Sequence, residues 1–204
     1  MIYLTNYIRN FSEHFPEEKS WLPWTFPAAL PEMLESRIAA LDQHYYVTGN
    51  IAVHHTAIVE SSAILKGPLI IGPDCFIGAH AYVRRGVFLG SEVSIGPGCE
   101  IKSSLIFSHS AIAHFNFIGD SIIGHGVNFE AGAVIANHYN ERKDKMIRIK
   151  HNEEVIETGV IKFGALVGDD SRIGANAVLS PGTILLPGSV VKRLELVEQV
   201  PEYF

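Results

Sequence analysis

The feature that most constrains the fold of this chain is an aliphatic residue at every sixth position. A hexad sustained over so many repeats predicts a parallel β-helix, because each short repeat buries its aliphatic side chain only when the next coil stacks on it. A β-sandwich, the alternative, would need hairpin turns at irregular spacing. The hexad comprises Val53, Val59, Leu65, Ile71, Ile77, Val83, Leu89, Ile95, Ile101, Phe107 and Ala113, and then Ile161, Val167, Ile173, Leu179, Leu185 and Val191.

Small residues flank the hexad positions and predict a narrow three-sided prism. The residue two places before an aliphatic is usually small, as at Ala57, Ala63, Cys75, Ala81, Cys99 and Ala111. The residue after it is often glycine, which suits a corner that needs unusual backbone angles; the glycines are Gly72, Gly78, Gly90, Gly96, Gly119, Gly124, Gly168 and Gly174. Four larger polar residues take this slot in the central run, and we expect them to point outward, exposed or facing another chain: Arg84, Lys102, His114 and Glu130.

The hexad is interrupted twice. The spacing shortens to five from Ala113 to Ile118 and again to Ile123, so we expect a tightened backbone just after His114. An inserted loop at 138–158 contains "MIRIKHNEEVIET", whose two alternating strands predict a hairpin that projects from the β-helix.

The first 50 residues do not follow the hexad. The segment "PAALPEMLESRIAAL" predicts a helix with Leu34, Ile38 and Leu41 on one face. We expect residues 1–50 to form an arm that covers the open end of the β-helix, whose edge needs protection. Residues 51–204 then form the β-helix domain.

Composition excludes several classes of partner. The chain has 204 residues, of which 47% are hydrophobic, and a net charge of −6 that argues against nucleic acid. No apolar run approaches the ~18 residues of a membrane span, and no signal peptide is recognisable. The two cysteines, Cys75 and Cys99, predict small buried thiols in a cytoplasmic protein rather than a disulfide.

The central segment "AHFNFIGDSIIGHGVNFEAGAVIAN" combines an apolar pattern with several groups that can move protons or hold a carbonyl. It resembles the acetyltransferase domain of the bifunctional glucosamine-1-phosphate acetyltransferase / N-acetylglucosamine-1-phosphate uridylyltransferase family, over about Ala52 to Val191. The inserted loop is similar to that of archaeal sugar-1-phosphate nucleotidyltransferase relatives. The resemblance implies a left-handed β-helix, a homotrimer with active sites between subunits, acetyl-CoA as the acyl donor and an amino-sugar phosphate or nucleotide-linked amino sugar as the acceptor.

The resemblance implies catalytic roles for three residues. His114 matches the catalytic histidine, and an imidazole that titrates near neutrality can take the proton of the attacking amine. Asn137 could donate a hydrogen bond to the thioester carbonyl as it becomes an oxyanion. Glu100 could orient or charge-stabilise the imidazolium.

The resemblance also implies binding residues. Lys102 and Arg84 match two phosphate-binding positions, and because they lie 18 residues apart we expect them to stack on neighbouring coils and clamp one anion. Asn128 matches a substrate-binding asparagine. Ala131 and Asp169 match positions that contact acetyl-CoA.

Some positions depart from the family pattern. Phe117 stands where the family has a phosphate-binding tyrosine, Asp169 replaces a serine, and Glu130 replaces a glycine. We expect Glu130 to stack over His114 at about 4.8 Å, as a surface acid, as a carboxylate that favours the protonated imidazole, or as an obstacle to the cofactor. The family's C-terminal extension is absent from the sequence, and no Gly-rich nucleotide loop of a nucleotidyltransferase domain precedes the repeat. We therefore expect any uridylyl transfer to come from a separate protein.

Two other functions stay open. A non-catalytic trimer that binds or scaffolds sugar phosphates would fit Phe117, Glu130 and the missing extension. A zinc carbonic anhydrase would need three histidine ligands. The candidate histidines match no strong ligand motif, so the sequence predicts no metal site; they are His54, His55, His80, His109, His125 and His138.

Overall fold

The computed structural model describes residues 2–201 and confirms the predicted fold class, an all-β left-handed parallel β-helix. Three faces form the prism, and each inward side chain stacks on its equivalent one coil away. We name the faces A, B and C in the order in which the chain visits them, and each corner by the two faces it joins. No helix among these residues is long and apolar enough to cross a membrane.

Face A carries one strand or half-strand from each coil, and its inward residues include Ile71, Leu89 and Ile106. The chain enters it through β1 (Tyr45–Thr48), which pairs antiparallel with β2. The parallel members are β2 (Ile51–His54), β5 (Leu69–Ile71), the second halves of β7 (Tyr82–Leu89) and β9 (Glu100–Ile106), β12 (Ile122–Ile123), β17 (Ala165–Val167) and β20 (Thr183–Leu185).

Faces B and C complete each coil with shorter strands. Face B consists of β3 (Ile58–Val59), β6 (Phe76–Ile77), β8 (Ser94–Ile95), β10 (Ala111–Ile112), β13 (Asn128–Phe129), β18 (Arg172–Ile173) and β21 (Val190–Val191). Face C consists of β4 (Ile64–Lys66), the first halves of β7 and β9, β11 (Phe117–Gly119), β14 (Val134–Ile135), β19 (Val178–Leu179) and β22 (Leu196–Val197).

The hexad prediction is correct for most of the chain and wrong at three positions. Ile112, not Ala113, pairs with Ile95 and points inward. Phe107 packs outside the prism, and Ile161 is exposed. The predicted shortened step at Ala113 is therefore wrong. The shortened steps run from Ile101 to Ile106 and from Ile118 to Ile123, so the tightened corner is CA, on the far side of face C from His114.

The corner glycines serve a different purpose from the one predicted. Positive φ angles fall two residues later, for example at Asp74 rather than Gly72. A Cβ on Gly72 would lie 2.8 Å from the carbonyl oxygen of Leu89 on the next coil. Glycine is therefore needed here because the coils approach closely at the corner.

The helical part of the predicted N-terminal arm covers face A rather than the open end of the β-helix, and only the arm's last segment, β1, reaches that end. The helical part contains two 3-10 turns (Leu4–Asn6 and Pro23–Thr25), α1 (Phe11–His14) and α2 (Phe26–Ile38). The outward residues of face A are buried beneath the arm and the inserted loop in a second apolar core; they are Ala52, Ile70, Phe88, Leu105, Ile122, Leu166 and Ile184. The open end is instead capped by β1, which protects the edge of the first coil.

The inserted loop contains the predicted hairpin, formed by β15 (Arg148–His151) and β16 (Glu154–Glu157). Asn152 and Glu153 both have positive φ, as a two-residue type I′ turn requires. The hairpin does not project away from the protein. Ile147 and Ile149 are fully buried in the second core beside the arm.

Both cysteines are buried free thiols inside the prism, as predicted. The Cys75 thiol donates to the carbonyl of Gly90 at 2.9 Å, and burial raises its pKa to about 11. Burial also raises the pKa of Cys99. Each thiol therefore stays protonated near neutral pH and packs as a small apolar side chain.

Candidate functional site

Corner CA carries a stack of three cationic residues. Arg84 pairs in register with Lys102, so the predicted stacking on neighbouring coils is confirmed. Lys66, which the sequence analysis missed, precedes them in the same stack. Arg84 already contacts Glu100: its Nε and Nη2 lie 2.8 and 2.7 Å from Oε1. The guanidinium is therefore held in place but remains partly exposed.

A buried polar network extends from Lys102. Its ammonium nitrogen lies 2.5 Å from Oδ2 of Asp120, and the amide nitrogen of Asn137 donates to the same oxygen. Lys102, Asp120 and Asn137 are 7%, 6% and 8% exposed. A cavity of about 400 Å³, between the arm and residues 159–162 that follow the inserted loop, opens beside Asp120.

His138 ends this network, although its place in the sequence predicted no catalytic role. Its Nδ1 lies 3.1 Å from Oδ1 of Asn137. Because an amide oxygen only accepts, Nδ1 carries the hydrogen and Nε2 keeps its lone pair. The imidazole is exposed, so an oriented basic nitrogen faces solvent at corner CA.

His114 lies at corner BC, at the other edge of face C. Its side chain is exposed and makes no hydrogen bond within residues 2–201. The backbone there is held tightly, since the His114 carbonyl accepts from Gly132 N at 2.9 Å and from the buried Asn116 amide at 3.2 Å. The backbone of His114 is therefore fixed, while its exposed side chain is available to a ligand or to another chain.

Glu130 does not stack over His114, contrary to the prediction. The coil at this point has 17 residues, so Glu130 follows Phe129 and lies over Ala113, whereas Ala131 lies over His114. The Glu130 carboxylate binds both the Arg193 guanidinium and the backbone N–H of Ala175. These contacts, the Arg193 hydrogen bond first, lower the pKa of Glu130.

The remaining predicted residues divide between faces B and C. Glu100 and Phe117 are adjacent, outward-facing residues of face C, between the two corners. Glu100 contacts Arg84 rather than the imidazole of His114. Asn128 lies on face B in a groove of about 540 Å³ that is also lined by Arg172 of the same face and by Glu130 and Arg193 of corner BC.

The two predicted cofactor positions lie on different corners of one chain. Ala131 is at corner BC, and Asp169 is at corner AB. Asp169 accepts hydrogen bonds from Arg9 Nε at 2.9 Å, from the Arg9 backbone at 3.0 Å and from the His125 backbone at 2.7 Å. In this structure Asp169 therefore fastens the arm to the prism.

Family models match two parts of the repeat region. Residues 68–103 match the model described as "Bacterial transferase hexapeptide (six repeats)", and residues 164–192 match "Hexapeptide repeat of succinyl-transferase". These matches agree with the coiled fold, since both segments are hexapeptide repeats similar to those of known transferases.

Two individual relatives are bifunctional proteins that are longer than this chain. The chain is 30% identical over 167 residues to the bifunctional sugar-1-phosphate nucleotidylyltransferase/acetyltransferase of Sulfurisphaera tokodaii, covering 79% of this chain and 41% of that protein. It is 30% identical over 181 residues to bifunctional protein GlmU of Methanococcus vannielii, covering 87% of this chain and 43% of that protein. The chain thus spans about two-fifths of the length of these relatives.

A solved structure is similar at the level of the fold. It is a hexapeptide transferase family protein from Anaplasma phagocytophilum, with a TM-score of 0.52 and 19% identity. The superposition covers 72% of this chain and 80% of that chain.

Proposed function

We propose that this protein transfers an acetyl group from acetyl-CoA to the amino group of an amino-sugar phosphate or a nucleotide-linked amino sugar. The name of the Sulfurisphaera relative, a sugar-1-phosphate nucleotidylyltransferase/acetyltransferase, supports acyl transfer on a sugar-linked substrate. The two free buried thiols support a cytoplasmic location.

The observation that carries the proposal is the arrangement of face C. His114 lies at one edge of this face, and the cations of corner CA lie at the other. The intervening strand, Phe117–Gly119, has three residues and spans about 10 Å. A sugar phosphate held at corner CA would extend across face C towards corner BC, with its amine directed at a base.

The chemistry requires a base, an oxyanion donor and a phosphate site. His114 takes the proton as the amine nitrogen bonds to the thioester carbonyl, and the carbon–sulfur bond then breaks to release CoA. Asn137 uses one amide hydrogen for Asp120, and its second N–H remains for the developing oxyanion. His114 and Asn137 of one chain lie on different corners, so we expect a neighbouring chain of a trimer to complete the site.

His138 is the alternative base, because it is oriented and adjoins Asn137. Turnover should be measured as thiol release from acetyl-CoA across a panel of amino-sugar phosphates, with the acetylated product identified by mass. His114→Ala should lower kcat by about 10²–10⁴-fold and leave substrate binding nearly unchanged. His138→Ala should retain most of the turnover. The reverse result would assign the base to His138.

A non-catalytic sugar-phosphate-binding trimer is the second candidate. The Glu130–Arg193 ion pair favours it, because it lies across the groove that contains Asn128, at the corner where a cofactor would approach Ala131. Sugar-phosphate binding without thiol release from any acyl-CoA would establish this function. Bicarbonate formation from CO₂ that is abolished by a chelator would instead indicate an anhydrase.

A further inference from the structure

Three histidines lie close together at the end of the β-helix that β1 caps. His44 precedes β1, His54 ends β2, and His55 follows it. Their possible ligand nitrogens all lie within 4.8 Å of one another. We propose that His44, His54 and His55 bind one zinc ion, which fastens the start of β1 to the end of β2. We call these three histidines the cap site.

The backbone explains how the three side chains come together. Tyr45 pairs with His54, and the His55 backbone N–H donates to the His44 carbonyl at 2.9 Å, so His44 and His55 are opposite each other. Neighbouring residues of a strand point to opposite sides. The chain turns after His54, however, and this brings the rings of His54 and His55 to a centroid separation of 4.4 Å.

The ring hydrogen bonds orient His55 for metal binding, whereas those of His54 hold its ring against Thr56. Nδ1 of His55 lies 3.0 Å from the His44 carbonyl oxygen, which only accepts, so Nδ1 is protonated and Nε2 has a free lone pair. Nδ1 of His54 accepts the backbone N–H of Thr56 at 3.3 Å and lies 2.9 Å from Oγ1 of the same residue. Its lone pair is therefore directed at Thr56, and the His54 ring must turn to present it to a metal. The hydrogen bond from His55 Nδ1 to a carbonyl is typical of histidines that ligate metals through the other ring nitrogen.

The ligand set favours zinc. Imidazole nitrogens suit Zn²⁺, which takes three protein ligands and a water in an open tetrahedral site. Zinc–nitrogen bonds of about 2.1 Å require ligand atoms about 3.4 Å apart. His44 and His55 are exposed and His54 is partly exposed, so small side-chain rotations can close the remaining distance.

A second histidine pair supplies a demanding control. His109 and His125 stack at corner AB with ring centroids 4.8 Å apart, and His109 Nδ1 lies 3.2 Å from a carboxylate oxygen of Glu92. A protein that bound zinc through any exposed histidines would use this pair as well. If zinc binds at the cap site, the His109–His125 pair should contribute nothing to the affinity of the protein for the first zinc ion.

Zinc binding to the whole chain should be measured by calorimetry after chelator treatment, alongside the visible spectrum with Co²⁺. The wild type should bind one Zn²⁺ per chain and give the intense Co²⁺ bands of tetrahedral coordination. His44→Ala and His55→Ala should each weaken zinc binding by at least about 10-fold, whereas His109→Ala should leave it unchanged.

Thermal unfolding with and without zinc separates ligation from loss of fold. Zinc should raise the Tm of the wild type and of His109→Ala, but not of His44→Ala or His55→Ala, which should match the wild type when no metal is present. Absence of saturable binding would overturn the proposal. Equal weakening in all three variants, or retained affinity in both cap variants, would also overturn it.

Discussion

At the scale of single residues, burial divides the cations of corner CA into two kinds. Lys102 is enclosed with Asp120, and its ammonium already has a carboxylate partner. Arg84 is partly exposed and has Glu100 as a partner, while Lys66 is exposed. An incoming phosphate can therefore contact Arg84 and Lys66 directly, whereas Lys102 acts mainly by holding the network in position.

The phosphate-binding role of corner CA is testable with paired ligands. Arg84→Ala should weaken binding of an amino-sugar phosphate by about 10–100-fold, the equivalent of about 1.5–3 kcal/mol for a charged hydrogen bond, and should spare the unphosphorylated sugar. Lys66→Ala should have the same selectivity with a smaller effect. Calorimetric titration with both ligands measures this. If both ligands lose affinity equally, Arg84 has a structural role only.

The buried pair makes a separate prediction about stability. Lys102→Ala leaves the Asp120 carboxylate buried without its cation and should lower the free energy of unfolding by about 3–5 kcal/mol. The double variant with Asp120→Ala should recover part of that loss, because no charge is left buried. Denaturant unfolding of the three variants tests this coupling. Additive losses would mean that the two residues do not act as a pair.

At the scale of elements, the arm is attached through Phe107. This residue occupies a corner slot that is glycine in neighbouring coils, at Gly90 and Gly124, and its ring packs against Phe11 and Phe15 of the arm. A side chain in that slot has no room inside the prism, so it points towards whatever covers face A.

Phe107→Ala should therefore lower the free energy of unfolding by about 3–5 kcal/mol and expose the arm to proteolysis. Phe115→Ala is the matched control, since Phe115 also lies at a corner but is 73% exposed. Its cost should stay within about 0.5 kcal/mol. If the two variants are equally stable and the arm remains protected, Phe107 does not hold it.

The sequence pattern predicted the elements better than the register. Six-residue spacing was sufficient to predict the coil, because inward side chains must stack. It could not show whether Ile112 or Ala113 faces inward, since both are apolar and one shortened step moves every later residue by one slot. That ambiguity produced the wrong pairing of Glu130 with His114. It also hid the shortened step from Ile101 to Ile106, whereas the step from Ile118 to Ile123 was predicted.

The parts of the site that the sequence did not predict depend on long-range contacts. In the sequence, Asp120 looks typical of a turn. In the structure, the stacking of the coils and the chain leading into the inserted loop place it between Lys102 and Asn137. In the sequence, His138 is one of several scattered histidines, and only the structure shows its contact with Asn137. His44 is ten residues from His54, and a hairpin register is needed to join them.

At the scale of the whole molecule, only two faces of the prism remain available to other chains. The arm and the inserted loop bury the outward residues of face A. Faces B and C instead expose apolar outward residues, including Ile58 at 62%, Val190 at 72% and Leu196 at 60%. A closed threefold ring needs two different patches on each chain, and these faces provide them on either side of corner BC, where His114 lies.

We therefore expect a homotrimer, with a mass of three chains in light scattering coupled to gel filtration. Val190→Glu should dissociate it, because a carboxylate would be buried against a neighbouring apolar face. Leu186→Glu is the matched control, since Leu186 is similarly exposed but lies at corner AB. Acetyl transfer should disappear with trimer dissociation, because His114 and Asn137 on different corners need a second chain to complete the site. A wild type that is monomeric at micromolar concentration yet active would contradict the shared site.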